Sequence, residues 1–346
     1  MKFVIAVAAS RCWFLYQLDV NSAFLHRELS KKIYMNLPFG VSGSTPTTVC
    51  KLNKSLYDLK QIIALLIYVD DIVLAGDDLQ EIQIVKQVLD DSFKIKDLGS
   101  LKIFFGLEIA CSTSGIILNQ RKYCLELIEE CGLSGCKLAS SSIDPSMKLY
   151  VDQGDLYPDP SSYRRLIGRL LYLTNTRPDI SFALQQLSQF MTTSRIHHFE
   201  PATWVVRYLK GCPDIDLFYS SETSSLITAF FDSDWASEIN NKRSVTGFYV
   251  FFGFGLISWK TKKQSTVSRS SSEAEYRALA SLTSELQWLK FLCDDFQVNV
   301  TTPFPVYCDS KSAIYIAKNP TFHERTKHIK IDYYVACNLV SYTFFM

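Results

Sequence analysis

The sequence lacks several features that would place a protein quickly. Its ten cysteines form no Cys-x-x-Cys pair and only five histidines accompany them, which argues against a zinc ribbon and against the cysteine framework of a small secreted domain. A reducing intracellular compartment, cytoplasm or nucleus, is the expectation. Net charge is nearly absent as well: 36 Lys and Arg stand against 35 Asp and Glu, giving +1. No overall basic field therefore advertises a nucleic-acid partner, and any such binding must come from local patches. Long apolar runs are missing. Residues 62–69 are far too few to span a bilayer. Residues 3–9, behind Met1-Lys2, sit at the short limit of a signal-peptide core and meet Arg11 almost at once. A soluble chain with no membrane partner and no export is expected. The sequence contains no internal repeat and no low-complexity tract.

What remains is ordinary globular material: 346 residues, 47% hydrophobic and 21% charged, enough for two or three domains with cores of their own. Basic residues cluster at Arg164, Arg165 and Arg169, and again at Lys260, Lys262, Lys263 and Arg269. Each cluster reads equally well as a solvated charged face.

Up to about Glu108 the pattern is one of short β-rich runs. Residues 65–69 and 72–75 flank Asp70-Asp71, which suggests a β-hairpin even though Asp-Asp is not the favoured Asn-Gly turn chemistry. From Asn119 to Tyr219 the pattern turns helical, with apolar spacings of three and four over 163–173, 180–191 and 201–209. The stretch 140–160, with three prolines among Ser and Asp, reads as a surface linker. Beyond Ser224 the order is strand (226–231), strand (245–252), strand (256–259), helix (273–292), strand (304–308) and helix (312–318). A three-strand meander, a crossover helix and a further strand describe a mixed sheet flanked by helices, so the fold class expected is α/β, mixed α+β.

Three acids fall at telling places in that last segment: Asp232 at the end of the first strand, Glu275 in the first helical turn, and Asp309 at the end of the fourth strand. If the first and fourth strands are neighbours, the three converge. Such a cluster ionises comfortably only with cations, and its hard oxygen ligands suit Mg²⁺. Two such ions activate water and stabilise the leaving oxygen of a phosphodiester, which is nuclease chemistry. Each acid also has a structural reading. Glu275 completes Ser272-Glu273-Ala274-Glu275, a capping-box pattern; Asp309 precedes a helix it could cap; Asp232 could close a turn. Asp19, Asp70 and Asp71 offer a second potential metal site, suited to phosphoryl or nucleotidyl transfer, or are two loop acids and a strand-end acid.

Longer strings point to one family. Gln17-Leu18-Asp19-Val20-Asn21-Ser22-Ala23-Phe24-Leu25 resembles the first metal motif of copia-type reverse transcriptases, and Tyr68-Val69-Asp70-Asp71 resembles their Y-V-D-D motif. KDLGSLKIFFGLEI, YRRLIGRLLYLTNTRPDISFALQQLSQFM and RYLKG resemble the palm-to-connection region of the same retrotransposon polyproteins. FDSDWAS, RSVTGFYVF, ISWKTKKQSTVSRSSSEAEYRALA, VYCDSKSAIYIAKNP and FHERTKHI resemble their RNase H domain.

The resemblance implies a partial reverse transcriptase palm over 1–110, a helical thumb or connection over 111–224, and an RNase H-like three-layer domain over 225–340. It implies two-metal sites for Mg²⁺ or Mn²⁺: Asp19, Asp70 and Asp71 for the polymerase, and Asp232, Glu275 and Asp309 for RNase H, with Asp234 and Glu273 ranked below. Nucleic acid template/primer and RNA–DNA hybrid are the implied partners.

Departures from the family pattern are also visible. Ser55-Leu56-Tyr57-Asp58-Leu59-Lys60-Gln61 resembles the family's S-L-Y-G-L-K-Q, with Asp58 at the glycine, yet Gln61 runs almost directly into the strand before Y-V-D-D. The fingers subdomain and a fourth RNase H acid are expected to be missing, Asp332 lying too early to replace the latter. Polymerase activity is expected to be lost and hybrid cleavage to be feeble or absent. The histidines of His323-Glu324-Arg325-Thr326-Lys327-His328 lie five apart, a poor spacing for zinc on one helical face.

Overall fold

The computed structural model describes residues 1–20, 62–68, 70–144, 147–318 and 343–345. Asp58, the 323–328 string and Asp332 lie outside them. The chain divides into two compact units, residues 12–101, and residues 1–11 together with 102–346. It opens with helix α1 (Lys2–Ser10), which belongs to the larger unit.

The smaller unit consists of β1 (Phe14–Val20), β2 (Ile63–Tyr68), β3 (Asp71–Gly76), α2 (Leu79–Phe93) and β4 (Ile95–Ser100). Its strands form an antiparallel sheet in the order β2-β3-β1-β4. The hairpin expected around Asp70-Asp71 is present, with Ile67 opposite Ile72 and Tyr68 opposite Asp71. Helix α2 was not anticipated. It starts where the Asp78 carboxylate accepts the Gln80 and Glu81 N–H groups, which satisfies two donors that the first turn would otherwise leave unpaired. Ile82 completes a core with Leu18, Val20, Ile72 and Leu74.

The larger unit continues with β5 (Ile103–Phe104), β6 (Leu107–Ser112), β7 (Gly115–Asn119), α3 (Arg121–Glu130), α4 (Pro160–Leu173), a 3-10 turn (Pro178–Ile180), α5 (Ser181–Ser188), α6 (Ile196–Gly211) and β8 (Leu217–Ser220). Helices α3 to α6 share one core that includes Leu127, Tyr163, Ile167, Leu170, Leu184 and Val206. Strands β5 to β8 form a second antiparallel sheet in sequence order. A strand as short as β8, four residues, shows too few side chains to display a period of two. Its register against β7, Leu217 opposite Leu118 and Tyr219 opposite Ile116, is a long-range pairing that local pattern does not report.

Arg177 is 2% exposed and is held by Asp179 at 2.7 Å, while the Tyr208 hydroxyl donates to the same carboxylate at 2.9 Å. Tyr208→Phe is expected to cost about 1 kcal/mol, the net worth of one such bond, measured by equilibrium urea unfolding.

The rest comprises β9 (Ile227–Asp234), β10 (Val245–Phe252), β11 (Gly255–Lys263), α7 (Ser271–Asp295), β12 (Phe304–Tyr307), α8 (Lys311–Lys318) and β13 (Thr343–Phe345). The sheet order is β11-β10-β9-β12-β13. Its first three strands are an antiparallel meander, and β12 runs parallel to both β9 and β13. This is the mixed sheet expected from the strand and helix order. Helix α7 covers β9 and β10, burying Tyr276, Leu279, Leu282 and Leu286.

The run 3–9, read above only as a poor signal sequence, is α1 with every one of those residues buried, packed on β7, β8 and β11. A short helix apolar on all faces is what a core position requires. No helix among the described residues is long and apolar enough to cross a membrane.

Candidate metal centre

Strand register brings the three acids of the larger unit together. In β9, Ile227, Ala229, Phe231 and Ser233 are buried, so the alternate residue Asp232 projects from the opposite, exposed face. Strand β12 lies beside β9 with Tyr307 opposite Phe230. Asp309, two residues past Tyr307, therefore comes level with Asp232, two residues past Phe230. Glu275 is the fifth residue of α7, the helix that crosses over β9. One carboxylate oxygen from each of Asp232, Glu275 and Asp309 lies within 4.8 Å of the others.

The alternatives open in the sequence are filled by other residues. Ser270 caps α7, its hydroxyl accepting the Glu273 N–H at 3.2 Å, and the Glu273 carboxylate reaches back to the Arg269 N–H at 2.8 Å. Ser270 and Glu273 thus serve the start of α7, which leaves Glu275 free to face the strands. Glu273 is further held by Arg277 at 2.9 Å. At α8 the Ala313 N–H goes to the Ser310 hydroxyl at 3.3 Å, not to Asp309. Asp232 lies within β9 opposite Gly247 rather than in a turn.

Glu275 is the electrostatic focus. It is 7% exposed. Its Oε1 accepts the Ser233 N–H at 3.3 Å, while its Oε2 is buried without a hydrogen-bond donor. Burial, then repulsion from Asp232 and a lesser contribution from Asp309, push its carboxyl up to about 7 against the opposing pull of the Ser233 N–H. Burial and Asp232 also raise Asp234. Ser233, the donor that aims Glu275, was not singled out by sequence. A serine at a buried strand position carries no pattern beyond its place next to Asp232.

In the smaller unit, register sets Asp19 opposite Asp71. Asp70 occupies the hairpin turn, where its carbonyl accepts the Val20 N–H at 2.8 Å, and Asp71 accepts from Gln17 Nε2 at 3.3 Å. Strand pairing brings these three acids to one end of the sheet, but among the described residues only Asp232, Glu275 and Asp309 form a close three-carboxylate group. The basic clusters are partly neutralised: Arg169 pairs with Glu130, and Lys263 lies 3.8 Å from Glu238.

The chain is similar to several known proteins. The family model for reverse transcriptase (RNA-dependent DNA polymerase) matches residues 1–65 and 62–145, in two pieces. The retrovirus-related Pol polyprotein from transposon RE1 of Arabidopsis thaliana is 36% identical over 376 residues, covering 98% of this chain and 26% of the polyprotein. That alignment is longer than the chain itself, so the polyprotein contains residues with no counterpart here. An uncharacterized mitochondrial protein of Arabidopsis thaliana is 41% identical, covering 65% of this chain and 93% of that protein. Among solved structures, LC11-RNase H1, isolated from compost, is similar over 36% of this chain and 84% of its own, at 18% identity and a TM-score of 0.26. The chain belongs to the retrovirus-related Pol polyproteins of copia-type transposons, spanning 26% of the RE1 polyprotein's length, with the reverse transcriptase match confined to its first 145 residues.

Proposed function

We propose that Asp232, Glu275 and Asp309 bind Mg²⁺ or Mn²⁺, and that this centre is where the chain retains nuclease chemistry toward the RNA strand of an RNA–DNA hybrid, at a feeble rate. The observation that carries the reading is the buried Glu275 Oε2, left without a donor between two further carboxylates. A buried anion so placed costs free energy unless a cation completes it. Hard carboxylate oxygens fit a divalent ion of this kind.

A bound divalent ion would supply neutralisation of the phosphodiester's charge and a more acidic water. The residues themselves divide the work. Glu275, fixed by the Ser233 N–H, provides the rigid ligand, while Asp232 and Asp309 are exposed and reach the substrate side. Two exposed carboxylates are held less firmly than a buried one, and small misplacement costs large rate factors. This supports slow turnover.

The polymerase acids support a different outcome. The family match breaks into two pieces that overlap at residues 62–65, just past Gln61 and at the start of β2, which fits loss of palm elements rather than a working nucleotide site. The palm, connection and RNase H assignments of 1–110, 111–224 and 225–340 belong to the same proposal, as do template/primer and hybrid as ancestral partners. No primer extension is expected on a DNA-primed RNA template with Mg²⁺ or Mn²⁺. Incorporation lost in Asp70→Asn would refute that expectation.

The direct test is Mn²⁺ titration together with a labelled RNA–DNA duplex. Wild type is expected to take up Mn²⁺ and to cut the RNA strand slowly, both lost in Asp232→Asn. Absence of carboxylate-dependent metal uptake would favour a non-catalytic nucleic-acid-binding protein. Robust cleavage abolished by Asp232→Asn would overturn the feeble rate.

A further inference from the structure

Directly behind the acids lies a buried polar cluster that the metal ligands do not include. Gln264, the residue after β11, is 8% exposed, and Ser233, Thr246 and Ser268 around it are at least as buried. Its Nε2 donates to the Ala274 carbonyl at 2.9 Å and lies 3.1 Å from Thr246 Oγ1 and 3.3 Å from Ser233 Oγ. Its Oε1 accepts from the Ser268 hydroxyl at 2.9 Å. Its backbone N–H is given to the Ser244 carbonyl at 2.9 Å. Because the Ala274 carbonyl only accepts, the nitrogen of the amide must face it, and the orientation follows from the network. One side chain thus bonds to β9, β10, the loop before α7 and the first turn of α7.

Two of those contacts are immediate neighbours of metal-site acids. Ser233 follows Asp232, and Ala274 precedes Glu275. Ser233 also donates its N–H to Glu275 at 3.3 Å. We infer that Gln264 is a positioning residue of the metal centre, its amide clamping Ser233 on β9 to Ala274 on α7 and so fixing the separation of Asp232 and Glu275. The inference rests on the metal-binding reading above. Gln264 touches no metal and no substrate. It acts by holding two ligands at a spacing that carboxylate repulsion would otherwise widen. A fully satisfied buried amide suits that task, since every bond it loses leaves a buried polar group unpaired.

The test is Mn²⁺ affinity, read by electron paramagnetic resonance of free Mn²⁺, with melting temperature measured in parallel. Gln264→Met keeps the reach of the side chain and removes its hydrogen bonds. It is expected to weaken Mn²⁺ binding by about tenfold or more, the usual consequence of losing support behind a ligand. Thr283→Ala, at a buried site further along α7 whose hydroxyl bonds the Leu279 carbonyl at 2.7 Å, is expected to lower the melting temperature while leaving Mn²⁺ affinity unchanged. Unchanged affinity in Gln264→Met, or an equal loss in Thr283→Ala, overturns the positioning role. If Gln264→Met does not fold, Ser268→Ala decides. It removes only the donor to Oε1 and is expected to weaken Mn²⁺ in the same direction by less, and unchanged affinity counts against the role. Wild type and Asp232→Asn in the same series judge the metal centre itself: uptake by wild type that is lost in Asp232→Asn, with no effect of Gln264→Met, sinks this inference and leaves the centre standing, whereas no uptake by wild type sinks both.

Discussion

Mn²⁺ added to the metal-free protein at pH 8 is expected to raise its melting temperature, and Asp232→Asn is expected to abolish that rise. Three carboxylates with oxygens within 4.8 Å repel one another in the absence of a cation, and the folded state alone holds them together. An ion that binds this arrangement and not the unfolded chain stabilises by mass action, by about 2.7 kcal/mol at a hundredfold excess over its dissociation constant. For a unit of this size that corresponds to roughly 5–10 °C. Asp232→Asn removes one ligand and one charge. It relieves repulsion in the metal-free state and forfeits the binding, so both terms shrink the Mn²⁺-dependent difference. Differential scanning calorimetry with and without Mn²⁺ measures it. A wild-type melting temperature indifferent to Mn²⁺ at millimolar concentration contradicts the metal centre, and a rise retained in Asp232→Asn places the ion elsewhere.

The site was legible in the sequence to the extent that strand order was. Convergence of Asp232 and Asp309 hung on one condition, that the first and fourth strands of the segment lie side by side, and the observed register of β12 against β9 meets it. Glu275 was harder. Its local pattern fits a capping box begun by Ser272, and only the observed start of α7, where Ser270 is the cap and Glu273 reaches back to the Arg269 N–H, releases it. What stayed invisible has a common physical cause. β8 exists because β7 accepts it, α1 is buried because β7, β8 and β11 receive it, and Gln264 matters because four separate segments converge on its amide. None of these depends on the residues adjacent in sequence. The hairpin at Asp70 is the converse case, where two neighbouring apolar runs declare the turn between them.

Glu275→Gln is expected to stabilise the metal-free protein at neutral and alkaline pH while eliminating Mn²⁺ uptake. The wild-type carboxyl is raised from 4.5 to about 7, chiefly by burial and then by Asp232. Between those values the folded state binds more protons than the unfolded chain, so stability falls as pH rises through that window and the penalty is complete above about pH 7. Below about pH 4.5 both states are protonated and the group contributes no difference. Glutamine is neutral throughout and keeps an oxygen for the Ser233 N–H. The variant should match wild type near pH 4 and exceed it at pH 8 by on the order of 5 °C in melting temperature. With saturating Mn²⁺ the order reverses, because the ion supplies the positive counter-charge that the buried Glu275 carboxylate needs, and the neutral amide cannot hold the ion comparably. The reversal distinguishes a metal ligand from a buried acid that is merely unfavourable. A Glu275→Gln protein less stable than wild type at pH 8 without metal, or no reversal on adding Mn²⁺ to both, would show that Glu275 serves the fold rather than an ion.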